Sequence, residues 1–212
     1  MHARTRFFAT CGTLLKYPSV AQSMSKSVGV TNIKVSFKVN CENLREKLLD
    51  FCHKSYLVSK TDCNFFVVRP ADYVYIVFYS GHVNCTKIKD FNSIEDCQKN
   101  FKRLVEEETG HQLLISSCSI DNISATGSLF SSPLSLFSLG EYLRTRREKF
   151  RYCPQRFPGL SVRIHSATFI VFTSGKYIAV GSKTLCELNI ASNSFSRLIQ
   201  DYGDSNDHGH AG

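Results

Sequence analysis

Apolar and polar residues alternate along several short segments of the chain, and this alternation predicts β-strands. In the segment Val28–Val39, an apolar residue occupies every second position from Ile33 to Val39, as expected of a strand with one buried face. Helical spacing of apolar residues then predicts a helix over 42–53, which Asn40 can cap.

The same order of elements is predicted twice. In the first half, the initial strand and helix precede strands at 65–69, 73–79 and 82–87 and a helix at 93–108. In the second half, a strand at 113–124 and a helix at 134–147 precede strands at 157–164, 168–173 and 176–182 and a helix at 184–202. This succession indicates an α+β fold, in which helices cover one face of an antiparallel sheet.

An internal sequence repeat supports this interpretation. Residues 75–82 (YIVFYSGH) and 169–176 (FIVFTSGK) are identical at five of eight positions, and their phenylalanines are 94 residues apart. Upstream, Asn32 and Asn122 are 90 residues apart, and each precedes an isoleucine. Two markers with similar offsets predict a duplicated unit of about 90 residues. The expected organisation is a basic, disordered extension at 1–27, repeats at 28–110 and 111–202, and a flexible tail at 203–212.

Composition narrows the classes of function. The 212 residues include 26 lysines and arginines against 18 acids, which gives a net charge of +8 and permits a polyanionic partner. No apolar run approaches the length of a membrane-spanning helix. The nine cysteines show no zinc-binding spacing and are expected to be reduced thiols of an intracellular protein.

The N-terminal segment leaves the compartment open. The first acidic residue is Glu42, and the basic, serine-rich segment before it fits either a mitochondrial transit peptide or a disordered extension. Met24 begins the segment Met-Ser-Lys-Ser just before the first predicted strand and could be a second translation start. A nuclear protein is expected, with a mitochondrial location as the alternative if residues 1–23 are a transit peptide.

One segment of the second repeat resembles a known family. Tyr152–Leu160 (YCPQRFPGL) is followed by Arg163, by Ile170–Lys176 (IVFTSGK), and by Gly181-Ser182-Lys183. This succession is similar to the second repeat of the TATA-box-binding protein family, and the first repeat carries a degraded version of it. The resemblance spans residues 28 to about 202 and implies a saddle-shaped, two-repeat antiparallel sheet with helices on its convex face.

The resemblance also implies how such a sheet would bind DNA. In TATA-box-binding proteins, apolar side chains push between base steps in the minor groove and kink the duplex by roughly 80°. Phe157 and Phe172 match the two wedge residues of the family's second repeat. In the first repeat, Phe78 matches one wedge residue, and the other is Phe65 or Phe66. We assign Phe65 to this position. Asn32 and Asn122 are at positions that would face the acceptors of A·T pairs. The remaining positions that the resemblance assigns to DNA are Thr86, Arg163, Ile170, Lys176, Val180 and Lys183.

Several residues depart from the family pattern. Lys34 and Ser124 replace apolar residues that follow the two asparagines, and the first repeat lacks the Phe-Pro-Gly motif. Gln155 and Arg156 replace acidic residues that face transcription factor IIB in the family, so a IIA-like general transcription factor is the expected protein partner rather than a IIB-like one. Two functions therefore follow from the resemblance. One is a divergent factor that binds A·T-rich double-stranded DNA through the minor groove in transcription initiation. The alternative is an adaptor that has lost TATA recognition and works through protein contacts.

An enzyme is not expected. The sequence contains no G-x-S-x-G, P-loop or H-E-x-x-H motif. No cofactor, metal, small-molecule ligand or membrane partner is predicted.

Overall fold

The strands of the protein form one sheet, seen here in a computed structural model that describes residues 28–129 and 134–207. The strands are β1 (Gly29–Asn40), β2 (Val58–Thr61), β3 (Phe65–Val68), β4 (Val74–Phe78), β5 (His82–Ile88), β6 (Leu114–Ser128), β7 (Phe150–Cys153), β8 (Phe157–Ile164), β9 (Ala167–Val171) and β10 (Lys176–Ser182). The helices are α1 (Leu44–Lys54), α2 (Ser93–Thr109), α3 (Leu136–Thr145) and α4 (Leu185–Asp207). None of these four helices is long and apolar enough to cross a membrane.

The sheet has the internal symmetry that the repeat predicts. Its strand order is β2-β3-β4-β5-β1-β6-β10-β9-β8-β7, and neighbouring strands are antiparallel. The long strands β1 and β6 pair at the centre, where Ile33 lies directly opposite its counterpart Ile123. An approximate twofold axis therefore passes between these two residues, with one repeat on each side.

All four helices cover the same face of the sheet. Ile33 and Ile123 are fully buried, and because they are directly opposed they point to the same side. Ile33 packs in a cluster with residues of α1 and α2, whereas Ile123 packs with residues of α3 and α4. The opposite face of the sheet, called the open face below, has no helix of the described residues on it.

Each repeat has its own hydrophobic core. In the first, Phe101 of α2 packs edge-on against Phe37 and also contacts Tyr75, with ring centroids 5.8 and 5.1 Å away. The Tyr75 hydroxyl donates a hydrogen bond of 2.8 Å to the carbonyl oxygen of Cys97, and burial raises the pKa of this phenol. In the second, Phe195 of α4 stacks on Phe169 at 4.1 Å.

The structure adds two strands to those predicted. β2 and β7 lie at the two ends of the sheet, have four residues each, and leave most of their side chains at least partly exposed. Their sequences (VSKT and FRYC) lack the alternation that marks the inner strands. Short edge strands with charged residues are common, because such edges resist pairing with other chains.

Two boundaries also differ from the predictions. Asn40 does not cap α1, because its backbone pairs with Leu114 as the last residue of β1; the N-cap is Asn43, which makes no capping bond with its side chain. α4 extends to Asp207, so residues 203–207, predicted as part of a flexible tail, are helical. The predicted extension at 1–27 and the last five residues, 208–212, lie outside the described residues.

Candidate nucleic-acid interface

Strand alternation brings most of the predicted site residues to the open face. Their neighbours in each strand are buried against the helices, so these side chains point the other way. The residues placed on this face are Asn32, Phe65, Phe78, Thr86, Asn122, Phe157, Arg163, Ile170, Phe172, Lys176 and Val180. Lys183 differs, because it follows the end of β10; its backbone N–H donates to the Glu187 carboxylate, and its side chain is exposed.

Two phenylalanines form an exposed aromatic pair on the open face of the second repeat. The rings of Phe157 and Phe172 meet edge-on with centroids 6.1 Å apart, and Phe157 is 48% exposed. Gly159 makes this arrangement possible, since a Cβ atom there would lie 2.7 Å from the Phe157 ring and 2.9 Å from the side chain of Ile170. The glycine of the Phe-Pro-Gly motif therefore leaves the space that the Phe157 ring occupies beside Phe172.

The first repeat presents an equivalent aromatic pair. Phe65 lies directly opposite Phe78 in the sheet, and their ring centroids are 5.8 Å apart. Phe66 points to the other side, where it is fully buried beside Phe51 and Tyr79. Of the two possible mates of Phe78, the structure therefore places Phe65 on the open face.

The two asparagines occupy matching positions beside the twofold axis and make matching hydrogen bonds. The side-chain oxygen of Asn32 accepts from the backbone N–H of Lys87 at 2.8 Å, and that of Asn122 accepts from the backbone N–H of Gly181 at 2.6 Å. In addition, the Asn122 amide nitrogen donates to the Ser124 hydroxyl at 2.9 Å. Each amide oxygen is thus occupied by a backbone N–H, so the donors of the amide nitrogens, apart from the one that Asn122 gives to Ser124, are the groups that remain for a ligand.

The backbone donors themselves lie in matching bends of β5 and β10. Gly181 has φ of 108°, and Lys87 at the corresponding position has φ of 71°. Positive φ is readily adopted by glycine and is strained for other residues. The first repeat therefore keeps the bend that supports its asparagine although it has lost the glycine that favours it.

This strain leads to a stability prediction. The substitution Lys87→Gly should raise the free energy of unfolding by about 1 kcal/mol, because it relieves a left-handed backbone conformation. Urea denaturation of both proteins measures the effect. The matched control is Lys89→Gly, at an exposed position just beyond β5 where no positive φ occurs; this change should be neutral or destabilising. Equal effects at both positions would contradict the strain at Lys87.

The centre of the open face is polar, whereas its two ends are apolar. Ile76 and Ile170 lie two residues before Phe78 and Phe172 along the same side of β4 and β9, and Ile178 and Val180 of β10 extend this apolar surface toward the centre in the second repeat. The central strands instead present serines, the two asparagines and an ion pair between Lys34 and Asp121. The face therefore combines apolar ends with a hydrogen-bonding middle.

Comparison with known proteins identifies the family. Residues 117–202 match the family model described as transcription factor TFIID, or TATA-binding protein. The chain is 30% identical over 135 residues to the TATA-box-binding protein of Methanopyrus kandleri, a match that covers 61% of this chain and 72% of that protein. The chain belongs to the TATA-box-binding protein family.

Two further comparisons agree with this assignment. The TBP-related factor of Drosophila melanogaster is 36% identical over 86 residues, which cover 40% of this chain and 36% of that protein. The chain thus spans about a third of the length of this relative and about two thirds or more of several archaeal ones. The structure of Methanococcus jannaschii TBP has the same fold, with a TM-score of 0.65 at 21% identity, over 83% of this chain and 99% of that one.

Membership confirms the predicted family and its two-repeat α+β fold. TATA-box-binding proteins are non-enzymatic transcription factors, in agreement with the absence of catalytic motifs from the sequence. The family model matches only the second repeat, which is also where the sequence motifs are complete. The first repeat keeps the family's arrangement in space more fully than in sequence.

The open face contains residues that sequence reasoning missed. Ile76 is the counterpart of Ile170, and the alignment of residues 75–82 with 169–176 contained this signal. Asp121 is the counterpart of Thr31, since each precedes the asparagine of its repeat, but nothing in the sequence shows that the Asp121 carboxylate turns toward Lys34. That contact depends on the pairing of β1 with β6.

Proposed function

We propose that this TATA-box-binding protein family member binds the minor groove of double-stranded DNA through its open face and acts in transcription initiation. The observation that carries the proposal is the symmetric placement of two aromatic pairs, Phe65–Phe78 and Phe157–Phe172, at the two ends of this face. Exposed aromatic pairs are costly in water, and they suit a surface that inserts apolar wedges between base steps.

The middle of the face supports recognition of bases. Asn32 and Asn122 are fixed on the open face through their oxygens, and each amide nitrogen has at least one donor beyond these contacts. The minor-groove edges of A·T pairs present only acceptors. We therefore propose that the two asparagines donate to these acceptors and favour A·T pairs within the bound site.

Basic residues at the margins would contact the DNA backbone. Lys176 and Arg163 are exposed on the open face of the second repeat, and His82 occupies the position in β5 that corresponds to Lys176. Phosphate contacts of this kind supply affinity without sequence preference, and they weaken as salt rises. Selectivity would then come from the wedges and the central polar groups.

A binding and bending experiment on the full chain tests this proposal. The probes are a TATA-containing duplex and a scrambled G·C-rich duplex, each labelled with a fluorophore pair at its ends, over a series of salt concentrations. We expect at least tenfold tighter binding to the TATA duplex, a higher transfer efficiency from bending, and a preference that persists as salt rises. Equal binding to both duplexes that disappears steeply with salt, without bending, would contradict the proposal and favour the adaptor alternative.

The helix-covered face is the proposed surface for protein partners. The exposed side chains of Gln155 and Arg156, which replace acidic residues of the family, disfavour a IIB-like factor. Beyond α3, the exposed basic residues Arg147 and Lys149 add positive charge that suits an acidic partner. We propose a IIA-like general transcription factor as partner and the nucleus as the compartment. The mitochondrial alternative concerns residues 1–23, which lie outside the described residues.

A further inference from the structure

An ion pair lies on the open face beside the twofold axis. The Lys34 ammonium nitrogen is 3.5 Å from the carboxylate of Asp121, and the two side chains are 37% and 31% exposed. The Ser36 hydroxyl donates a hydrogen bond of 2.9 Å to the other oxygen of this carboxylate. These contacts hold the carboxylate in place on the surface that the proposed function presents to DNA.

The position of the pair breaks the symmetry of this surface. Lys34 is directly opposite Asn122, one residue from the axis, and Asp121 occupies a bulge in the pairing of β1 with β6. The corresponding positions on the other side of the axis are Ser124 and Thr31, which are neutral. One half of the centre is therefore charged and the other half is not.

The minor groove offers few partners for a carboxylate. An ionised carboxylate only accepts hydrogen bonds, and its two oxygens have about four acceptor sites, so the contacts to Lys34 and Ser36 leave capacity for another donor. A·T pairs present only acceptors in the minor groove, and the only base donor there is the N2 amino group of guanine. A carboxylate held against the edges of A·T pairs would face acceptor atoms, whose partial negative charge repels it.

We propose that Asp121 selects a G·C base pair immediately beside the centre of the bound site, on the Asn122 side. Its carboxylate accepts a hydrogen bond from the guanine N2 amino group, while the ammonium group of Lys34 donates to an acceptor on the same or the adjacent pair. The inference rests on the proposed function, which places this face in the minor groove. Because the opposite half is neutral, this contact also gives the bound protein a preferred direction on the DNA.

Base analogues test the proposal with the unmodified full chain. The probes are TATA-like duplexes with A·T flanks in which each central pair in turn is A·T, G·C, inosine·C or 2,6-diaminopurine·T. Inosine removes only the N2 amino group from the guanine edge, and diaminopurine adds it to adenine. We expect about tenfold tighter binding at one central position for the two pairs with the amino group, the order of one charge-assisted hydrogen bond.

Variants assign the effect to the carboxylate. Asp121→Val, or Asp121→Thr to match the neutral Thr31 of the first repeat, should bind all four central pairs within about twofold, while A·T flanks are still preferred. Glu107→Gln removes the same charge from the exposed surface of α2 and should keep the full amino-group effect. Thermal denaturation shows whether each variant is folded.

The outcomes separate this inference from the proposed function. If the wild-type protein binds and bends the duplexes but prefers A·T or inosine·C at every central position, Asp121 does not read guanine and the inference is wrong, while minor-groove binding stands. If no duplex is bent and the affinity depends on salt concentration but not on base sequence, both the inference and the proposed function are wrong. A preference for the amino group that persists in both Asp121 variants would also overturn the role of this carboxylate.

Discussion

Replacing Phe157 and Phe172 together by alanine is expected to abolish DNA bending while the protein stays folded. Phe157 is 48% exposed, and neither ring belongs to the hydrophobic core of the second repeat, so this core stays intact in the double variant. Without the rings, no apolar wedge enters the base step at this end of the face. The contacts that would offset the free energy of bending the DNA are then lost. We expect affinity for a TATA duplex to fall at least tenfold, on the order of 1.4 kcal/mol or more.

Energy transfer between fluorophores at the two ends of the duplex measures the bend, and thermal denaturation measures folding. The matched control is Phe137→Ala, which removes a phenylalanine that is 69% exposed on α3, on the helix-covered side of the sheet. This control should bend DNA as the wild-type protein does. A large loss of melting temperature in the double variant would identify the two rings as core residues instead of wedges.

The neighbouring residues Phe65 and Phe66 should respond in opposite ways to the same substitution. Phe66 is fully buried, with its ring 6.0 Å from that of Phe51 and 5.5 Å from that of Tyr79. Phe66→Ala should therefore lower the free energy of unfolding by about 3–5 kcal/mol, as expected for a large cavity in a core. Phe65 is only partly buried, against Phe78 and beneath the Lys60 ammonium group. Phe65→Ala should cost about 1 kcal/mol or less and instead weaken DNA bending.

Urea denaturation of the two single variants gives the stability comparison, and each serves as the control of the other. The bending assay on Phe65→Ala then tests the function of the exposed ring. Equal destabilisation by the two changes would mean that Phe65 also belongs to the core. In that case the first repeat would have no aromatic pair available to DNA.

The fold could be predicted from the sequence because the repeat constrains it twice. The alternation around Ile33 predicts the first strand, and the five identities between residues 75–82 and 169–176 indicate that the order of elements occurs twice. The edge strands β2 and β7 were missed because only one side of each pairs with the sheet, so burial imposes little pattern on their sequences. The prediction that Asn40 caps α1 was also wrong. Pairing with β6 extends β1 to Asn40, and this pairing cannot be read from the local sequence.

Site residues could be predicted where one segment of sequence indicates them. Those whose position depends on the pairing between strands could not. The motif at Phe157 indicates an exposed ring from one segment of sequence. The choice of Phe65 over Phe66 requires the register with Phe78, which sequence periodicity leaves ambiguous in a run of two adjacent aromatics. Likewise, the contact of Lys34 with Asp121 joins residues 87 positions apart through a bulge that no local pattern shows.

The separation of the two cores has a consequence for how the protein has evolved. Within the part of the chain that the structure describes, the cluster beneath the first repeat and that beneath the second share three partly buried residues, Val30, Phe91 and Ile120. A substitution that leaves a cavity in one core therefore removes few contacts from the other. After duplication, each half could accumulate changes that its own core tolerates. A second half that keeps the family motifs, beside a first half that has departed from them, is the pattern expected of such independence.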